Sequence, residues 1–351
     1  MKKLRYSLYL VVMSLILNQT ISAKEEIRDL ELGVRVSQPK EILETEAKVN
    51  FSTYPLTSLL LDSPPYKISI LKDGMYCALT DKDKNLIIYD LESKKIIFSE
   101  KFFYPIYGLT THPQKNNIVC FGDKMGRITI FDVDKLQKIH TIMELKYPVA
   151  DAKFSPDGTV LSVAHFGGTI SFYDTENWEK LEEAKIHENS IYTVAFSPDS
   201  SMLASGSRDR TVRVTEVGEK QPFVILKKPL HLVLCAEFAP QGNFLAAGSA
   251  DGNVYIWLRT DKEFNDYFKW THGDWVTSLD FFKDYLFTGC RDGKVRIFDY
   301  KNKLLIGMFK SQGNFVRDIK VDSVRNHLLV ATEEELLIYD LKEILRLTSF
   351  Y

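Results

Sequence analysis

From about residue 55 to the C-terminus, short runs of alternating apolar and polar residues are cut by Gly, Pro, Asp and Asn. Examples are TISFYD (169–174), NVYIW (253–257) and KVRIFD (294–299), each rich in β-branched and aromatic residues. That period of two predicts strands joined by hairpins. Four runs recur in a fixed order. An apolar run such as VADAKF or IYTVAF is followed by a turn: LKDG (71–74), SPDG (155–158), SPDS (197–200) or APQG (239–242). Pro presets φ there, while Asp and Gly accept turn conformations. A second run (TVLSVAH, MLASGS, FLAAGS), a polar turn, the alternating run and a looser fourth run (KKIIFSE, PFVILKK, KLLIGMF) complete the unit. Nothing inside these units reads as a helix.

The units have a period. LIIYDL (86–91) and LLIYDL (336–341) differ at one position. Between them, equivalent positions fall at Tyr89, Phe131, Tyr173, Thr215, Trp257, Phe298 and Tyr339, spaced by 42, 42, 42, 42, 41 and 41 residues. Seven units of four strands predict an all-β fold, a seven-bladed β-propeller of four-stranded antiparallel blades.

The stretch FSPDSSMLASGSRDRTVRV (196–214) resembles the consensus of the WD-repeat β-propeller family, and similar stretches recur through units three to six. The eponymous Trp survives only at Trp257, without the Asp that should follow it. The resemblance implies a structural polar network at His187, Ser205 and Asp209 in unit four, Asp251 in unit five, and His272, Thr288 and Asp292 in unit six. Asp83 occupies the same turn position in unit one, whereas Met125, Gly167 and Glu333 stand there in units two, three and seven. In this family an N-terminal strand usually completes the last blade, which favours Pro55–Asp62 for that role. Leu341–Phe350 is the alternative.

The N-terminus reads differently. Lys2, Lys3 and Arg5 precede an uncharged, mostly apolar run, Tyr6–Leu17, and a polar stretch that closes on small residues. This is the layout of a signal peptide cleaved after Ala23, implying export to a periplasm or beyond and no membrane span in the mature chain. Residues 24–54 form a charged lead-in, and 55–351 the propeller. Removing three cations leaves 42 basic against 47 acidic residues, a balance of −5. That argues against a nucleic-acid-binding role, which needs a concentrated basic surplus. Cys77, Cys120, Cys235 and Cys290 lack framework spacing and sit in strand-like runs, so they are expected as small buried side chains.

Catalytic motifs are not found. Asp81, Asp83, Asn85 and Glu92 resemble the spacing of a calcium loop, but Leu86 replaces its Gly. His112 and His165, in presumed connecting turns, are expected to be solvated. No cofactor or metal is implied. The positive signal lies at the start of each first strand, which in the family surrounds the central channel. Tyr66, Tyr107, Tyr192, Leu234, Trp275 and Phe315 fall there, with Arg317 the only formal charge. Tyr, Trp and Arg dominate interface energetics. The expectation is a non-enzymatic scaffold that binds a protein or peptide on this face. The alternatives are a propeller enzyme (a lactonase or quinone-dependent dehydrogenase type) and a module for envelope glycans. Replacing Trp275 and Tyr192 by Ala should then abolish capture and leave the fold intact.

Overall fold

The computed structural model describes residues 49–71 and 74–348; the leader assigned to 1–23 lies outside them. Seven four-stranded antiparallel sheets succeed one another along the chain. The first strands are Pro65–Leu71, Ile106–Thr111, Val149–Phe154, Ile191–Phe196, Val233–Phe238, Val276–Phe282 and Asp318–Asp322. Their residues are buried or half-buried, whereas fourth strands such as Lys95–Lys101 and Gln137–Met143 are largely exposed. First strands line the centre and fourth strands form the rim.

Blade 7 is completed by Thr57–Leu60, which pairs antiparallel with Glu335–Asp340, joining Thr57 to Ile338 and Leu60 to Glu335. The N-terminal segment thus supplies the seam. Leu341–Thr348, read from sequence as a possible strand, is a helix. Leu341, Ile344 and Leu345 lie one helical turn apart and pack on the blade 6–blade 7 core, which a strand with alternating sides could not do. Phe51 joins the same cluster, its ring 5.6 Å from Phe309.

Blades pack face to face through apolar layers, and glycine sets their spacing. A Cβ on Gly206 would lie 2.5 Å from Val233 Cγ1 of the next blade, and Gly122, Gly248 and Gly289 meet Val149, Val276 and Val316 in the same way. Tyr89 and Tyr339, in the two near-identical hexapeptides, are both buried core residues. All four cysteines are buried and in no disulfide. Burial in apolar surroundings pushes the Cys77 and Cys235 thiols up to about 12.

Candidate functional site: the channel mouth

In blades 1–6 the register of the first strand shifts at its second residue: Tyr66, Tyr107, Ala150, Tyr192, Leu234 and Thr277. A bulge leaves its extra residue out of the ladder and re-aims its side chain. Tyr66, Tyr107, Tyr192 and Leu234 are thus bulged residues, whereas Trp275 immediately precedes the first strand of blade 6. Blade 7 has no such shift, and Phe315 and Arg317 precede its first strand.

The structure joins these residues into two groups. Tyr66 meets Tyr107 edge-on at 6.0 Å, Tyr107 meets Phe166 at 5.7 Å, and Phe166 meets Tyr192 at 5.9 Å. Phe166 was missed because it lies in the loop after the second strand, outside the first-strand pattern. In blades 6 and 7, the Arg291 guanidinium stacks over Trp275 at 4.9 Å and Phe315 at 5.9 Å. Arg317 covers Phe315 at 4.8 Å and pairs with Glu333 at 3.5 Å. Arg291 was likewise outside the pattern.

Exposure divides the set. Tyr66, Phe166, Phe315 and Arg317 are half-buried. Tyr107, Tyr192 and Leu234 are buried, and Trp275 is only 4% exposed. Truncating a buried Trp removes packing worth about 3–5 kcal/mol. Trp275→Ala therefore cannot be expected to leave the fold intact, and the clean probes of this face are Tyr66 and Phe315.

Below the mouth the channel is charged, unlike the nearly uncharged ring read from the sequence. Lys67, Asp151, Lys153, Glu237, Asp280, Asp318 and Lys320 all lie on first strands. Several stitch blades together. Asp318 accepts from Ile68 N across the seam at 3.0 Å and from Ser278 Oγ at 2.7 Å. Asp151 accepts from Val194 N at 3.1 Å, and Asp280 from Val321 N at 2.6 Å. Burial opposes the charge on Lys67, but the carboxylates of Asp318 and Asp151 more than offset it and raise its pKa. Burial raises Glu237 and Asp280, against the pull of Lys320. These carboxylates are committed to backbone donors and lysines, an arrangement that holds a ring together.

The polar networks between strands follow two patterns. In blade 4, His187 places Nδ1 2.8 Å from Asp209 and Nε2 2.8 Å from Ser205 Oγ, and Asp209 also accepts from Thr211 at 2.5 Å. Burial opposes ionisation of Asp209, yet His187 and Thr211 hold it well below the usual carboxylate range. Blade 6 departs from this. His272 Nε2 lies 2.8 Å from Thr288, but Asp292 binds the fully buried Arg296 at 2.6 Å. Asp251 in blade 5 takes Tyr255 OH at 2.8 Å. Trp257 Nε1 donates to Asp266 on the outer strand, not to a histidine.

Blades 1 and 2 move the anchor. Asp81, not Asp83, binds Asn85 Nδ2 at 2.6 Å, and Asp123 binds Arg127 at 2.6 Å. Both sit two positions earlier in the repeat than Asp209. Asp81 and Glu92 lie beyond opposite ends of the strand Asn85–Asp90, and Glu92 pairs with Arg325 at 3.3 Å. The calcium-like spacing therefore does not converge. Among the described residues no group of three or more His, Cys, Asp or Glu side chains is placed to hold a metal ion. His112 and His165 are buried rather than solvated. His112 Nδ1 accepts from Gln114 N and Lys115 N, and His165 ends a strand with its Nε2 3.3 Å from Ser171 Oγ.

Three stretches, 178–215, 225–257 and 267–299, match the family model of the WD domain, G-beta repeat. The chain carries WD40 repeats. No curated protein matches it. The matched stretches reach from the end of blade 3 to the third strand of blade 6, and they contain every network residue that the repeat predicted with the family's spacing. Blades 1 and 2, outside the matched stretches, have the same sheet with the acidic anchor two positions earlier.

Proposed function

We propose that this chain is a non-enzymatic scaffold for protein interaction, exported by its N-terminal segment, that binds a protein or peptide partner around the channel mouth. A WD40-repeat propeller is commonly such a scaffold. The observation that carries the reading is the aromatic row Tyr66–Tyr107–Phe166–Tyr192 together with the Arg291–Phe315–Arg317 stack. Half-buried rings over buried ones form a rigid apolar platform with a polar edge, the composition of an interface core. The channel below supports the scaffold role, since its charged groups are engaged in joining blades.

The test is capture from the native cell envelope with the mature chain as bait, compared with Tyr66→Ala and Phe315→Ala. Both residues are half-buried, so folding should survive, checked by circular dichroism. A partner retained by both variants would sink the mouth as the binding face. Export is tested separately by sequencing the N-terminus of protein recovered from fractionated cells. An N-terminus at Lys24 supports it, and an intact Met1 in the cytosolic fraction would refute it.

A further inference from the structure

Blades 5 and 6 have the same outer ladder. Tyr255 registers with Lys269 and Trp257 with Asp266, as Arg296 does with Met308 and Phe298 with Leu305, and both ladders shift at the same step. In blade 6 the outer edge is taken. Asn50 bridges Met308 in parallel, and Phe51 N donates to the Met308 carbonyl at 2.9 Å. Val49, just before them, is buried in the core between blades 5 and 6. The chain's own lead thus fills the space beside that edge.

One blade earlier the counterpart is open. Leu230, Tyr255, Trp257, Asp266, Phe268 and Lys269 line a cavity of about 400 Å³ between blades 4 and 5. Ligand pockets span roughly 300–1,000 Å³. The cavity exists because the fourth strand of blade 4, Val224–Leu226, has three residues, where those of blades 1, 2, 3, 5 and 6 have six to nine. Pro229, which lacks an N–H, lies just beyond its end. The floor is apolar, with the Tyr255 and Trp257 rings stacked at 6.1 Å. Its polar atoms are engaged: Tyr255 OH with Asp251, and Trp257 Nε1 with Asp266, which Lys228 also pairs at 2.8 Å. Leu230 is 71% exposed. Lys269 holds the register of Met308, so its N–H and carbonyl face outward from the sheet edge, as the Met308 carbonyl does toward Phe51.

An open edge strand is a template for another strand. We propose that this groove binds an extended peptide segment of a partner protein, added in parallel to Glu263–Thr271. One aliphatic side chain of the segment sits between the blades over the Tyr255–Trp257 floor, as Val49 sits one blade on. The site is separate from the channel mouth and stands without it. The segment comes from another protein because Val49–Phe51 of this chain is already committed to blade 6, and a second copy has its own segment committed in the same way.

The experiment is selection of a random dodecapeptide display library on the immobilised full chain, followed by fluorescence polarisation of the selected peptides. Peptides that use the groove should slow amide exchange across residues 263–271 when bound. Lys269→Pro removes the outward N–H without touching the blade's own ladder and should weaken them about tenfold or more. Lys269→Ala keeps that N–H and should bind within about twofold of the unchanged chain. Leu230→Glu, which sets a charge beside the apolar floor, should weaken them about fivefold or more. Tyr66→Ala should leave them unaffected. Circular dichroism checks that each variant is folded, and if Lys269→Pro is not, Leu230→Glu and the exchange measurement decide.

Selected peptides that all depend on Tyr66, and none on Lys269→Pro or Leu230→Glu, would confine binding to the mouth and overturn the groove. Equal losses in Lys269→Ala and Lys269→Pro would replace the added strand with a contact to the lysine side chain, and overturn it as well. Bound peptides that leave exchange across 263–271 unchanged would do the same, as would a failure to select any peptide.

Discussion

Blade 4 and blade 2 fold into the same four-stranded sheet around different polar anchors. Blade 4 uses a fully buried histidine, His187, bridged to Asp209 and Ser205. Blade 2 has no such histidine. Its Asp123 sits two positions earlier and holds Arg127, which is 30% exposed. In both, a carboxylate satisfies the N–H groups of the hairpin turn, through Thr211 N in one and Met125 N and Arg127 N in the other. The sheet requires a turn acceptor near that place, but does not require one particular residue number. What differs is the group left behind if the acceptor is removed.

That difference can be broken most severely in blade 6, which takes the internal anchor furthest. Arg296 is fully buried and bound to Asp292. Asp292→Ala should cost about 3–5 kcal/mol, because it strands a buried guanidinium. The check is urea unfolding; a loss below about 1 kcal/mol would mean that water or another acceptor reaches Arg296.

Acid should sharpen the comparison next. Burial pushes His165 down to about 4, and its Nε2 partner is a serine rather than a carboxylate. Below pH of about 6.5 the unfolded chain takes up a proton that the folded chain refuses, so this contribution to stability rises with pH. It is lost progressively as pH falls from about 6.5 to about 4, by up to about 3 kcal/mol. Melting temperatures between pH 7.5 and pH 4.5 should show the fall, and His165→Gln should flatten it. An unchanged slope in that variant would assign the effect to other groups.

Packing between blades comes third. Gly206→Ala should cost about 1–3 kcal/mol by driving a methyl group into Val233 and Thr193 of the neighbouring strands. The companion change Val233→Ala in the same chain should recover part of the lost melting temperature; no recovery would place the strain elsewhere. Asp123→Ala should cost about 1–2 kcal/mol, less than Asp292→Ala, since Arg127 can turn to solvent. Smallest of all, Lys138→Ala should change stability by less than about 0.5 kcal/mol. Its pair with Glu100 is exposed on both sides.

Much of the fold was legible before any coordinates. The period of 41 or 42 residues and the alternation within each unit specify four strands seven times, because strand faces and hairpin turns leave local signatures. The network at His187, Ser205 and Asp209 was legible through the resemblance of 196–214 to the WD-repeat consensus. The anchors of blades 1 and 2 were not: Asp81 and Asp83 are both turn acids, and only the strand register decides which faces Asn85. The candidate site was half legible. Bulged first-strand positions repeat and can be counted, whereas Phe166 and Arg291 enter the mouth from a different loop. The channel charges on Lys67, Asp151 and Asp318 looked like ordinary polar positions of an alternating strand.

The chain by itself determined the strand count, the blade count and which face of each strand is apolar, all of them consequences of patterns within a few residues. Only the tertiary structure decided that Thr57–Leu60 seals blade 7, that Leu341–Thr348 turns helical against its edge, and that Asp318 bonds Ile68 across the seam. The first and last of those choices join residues 250 or more positions apart. Their energies come from burial and hydrogen bonding between surfaces that exist only once the ring has closed.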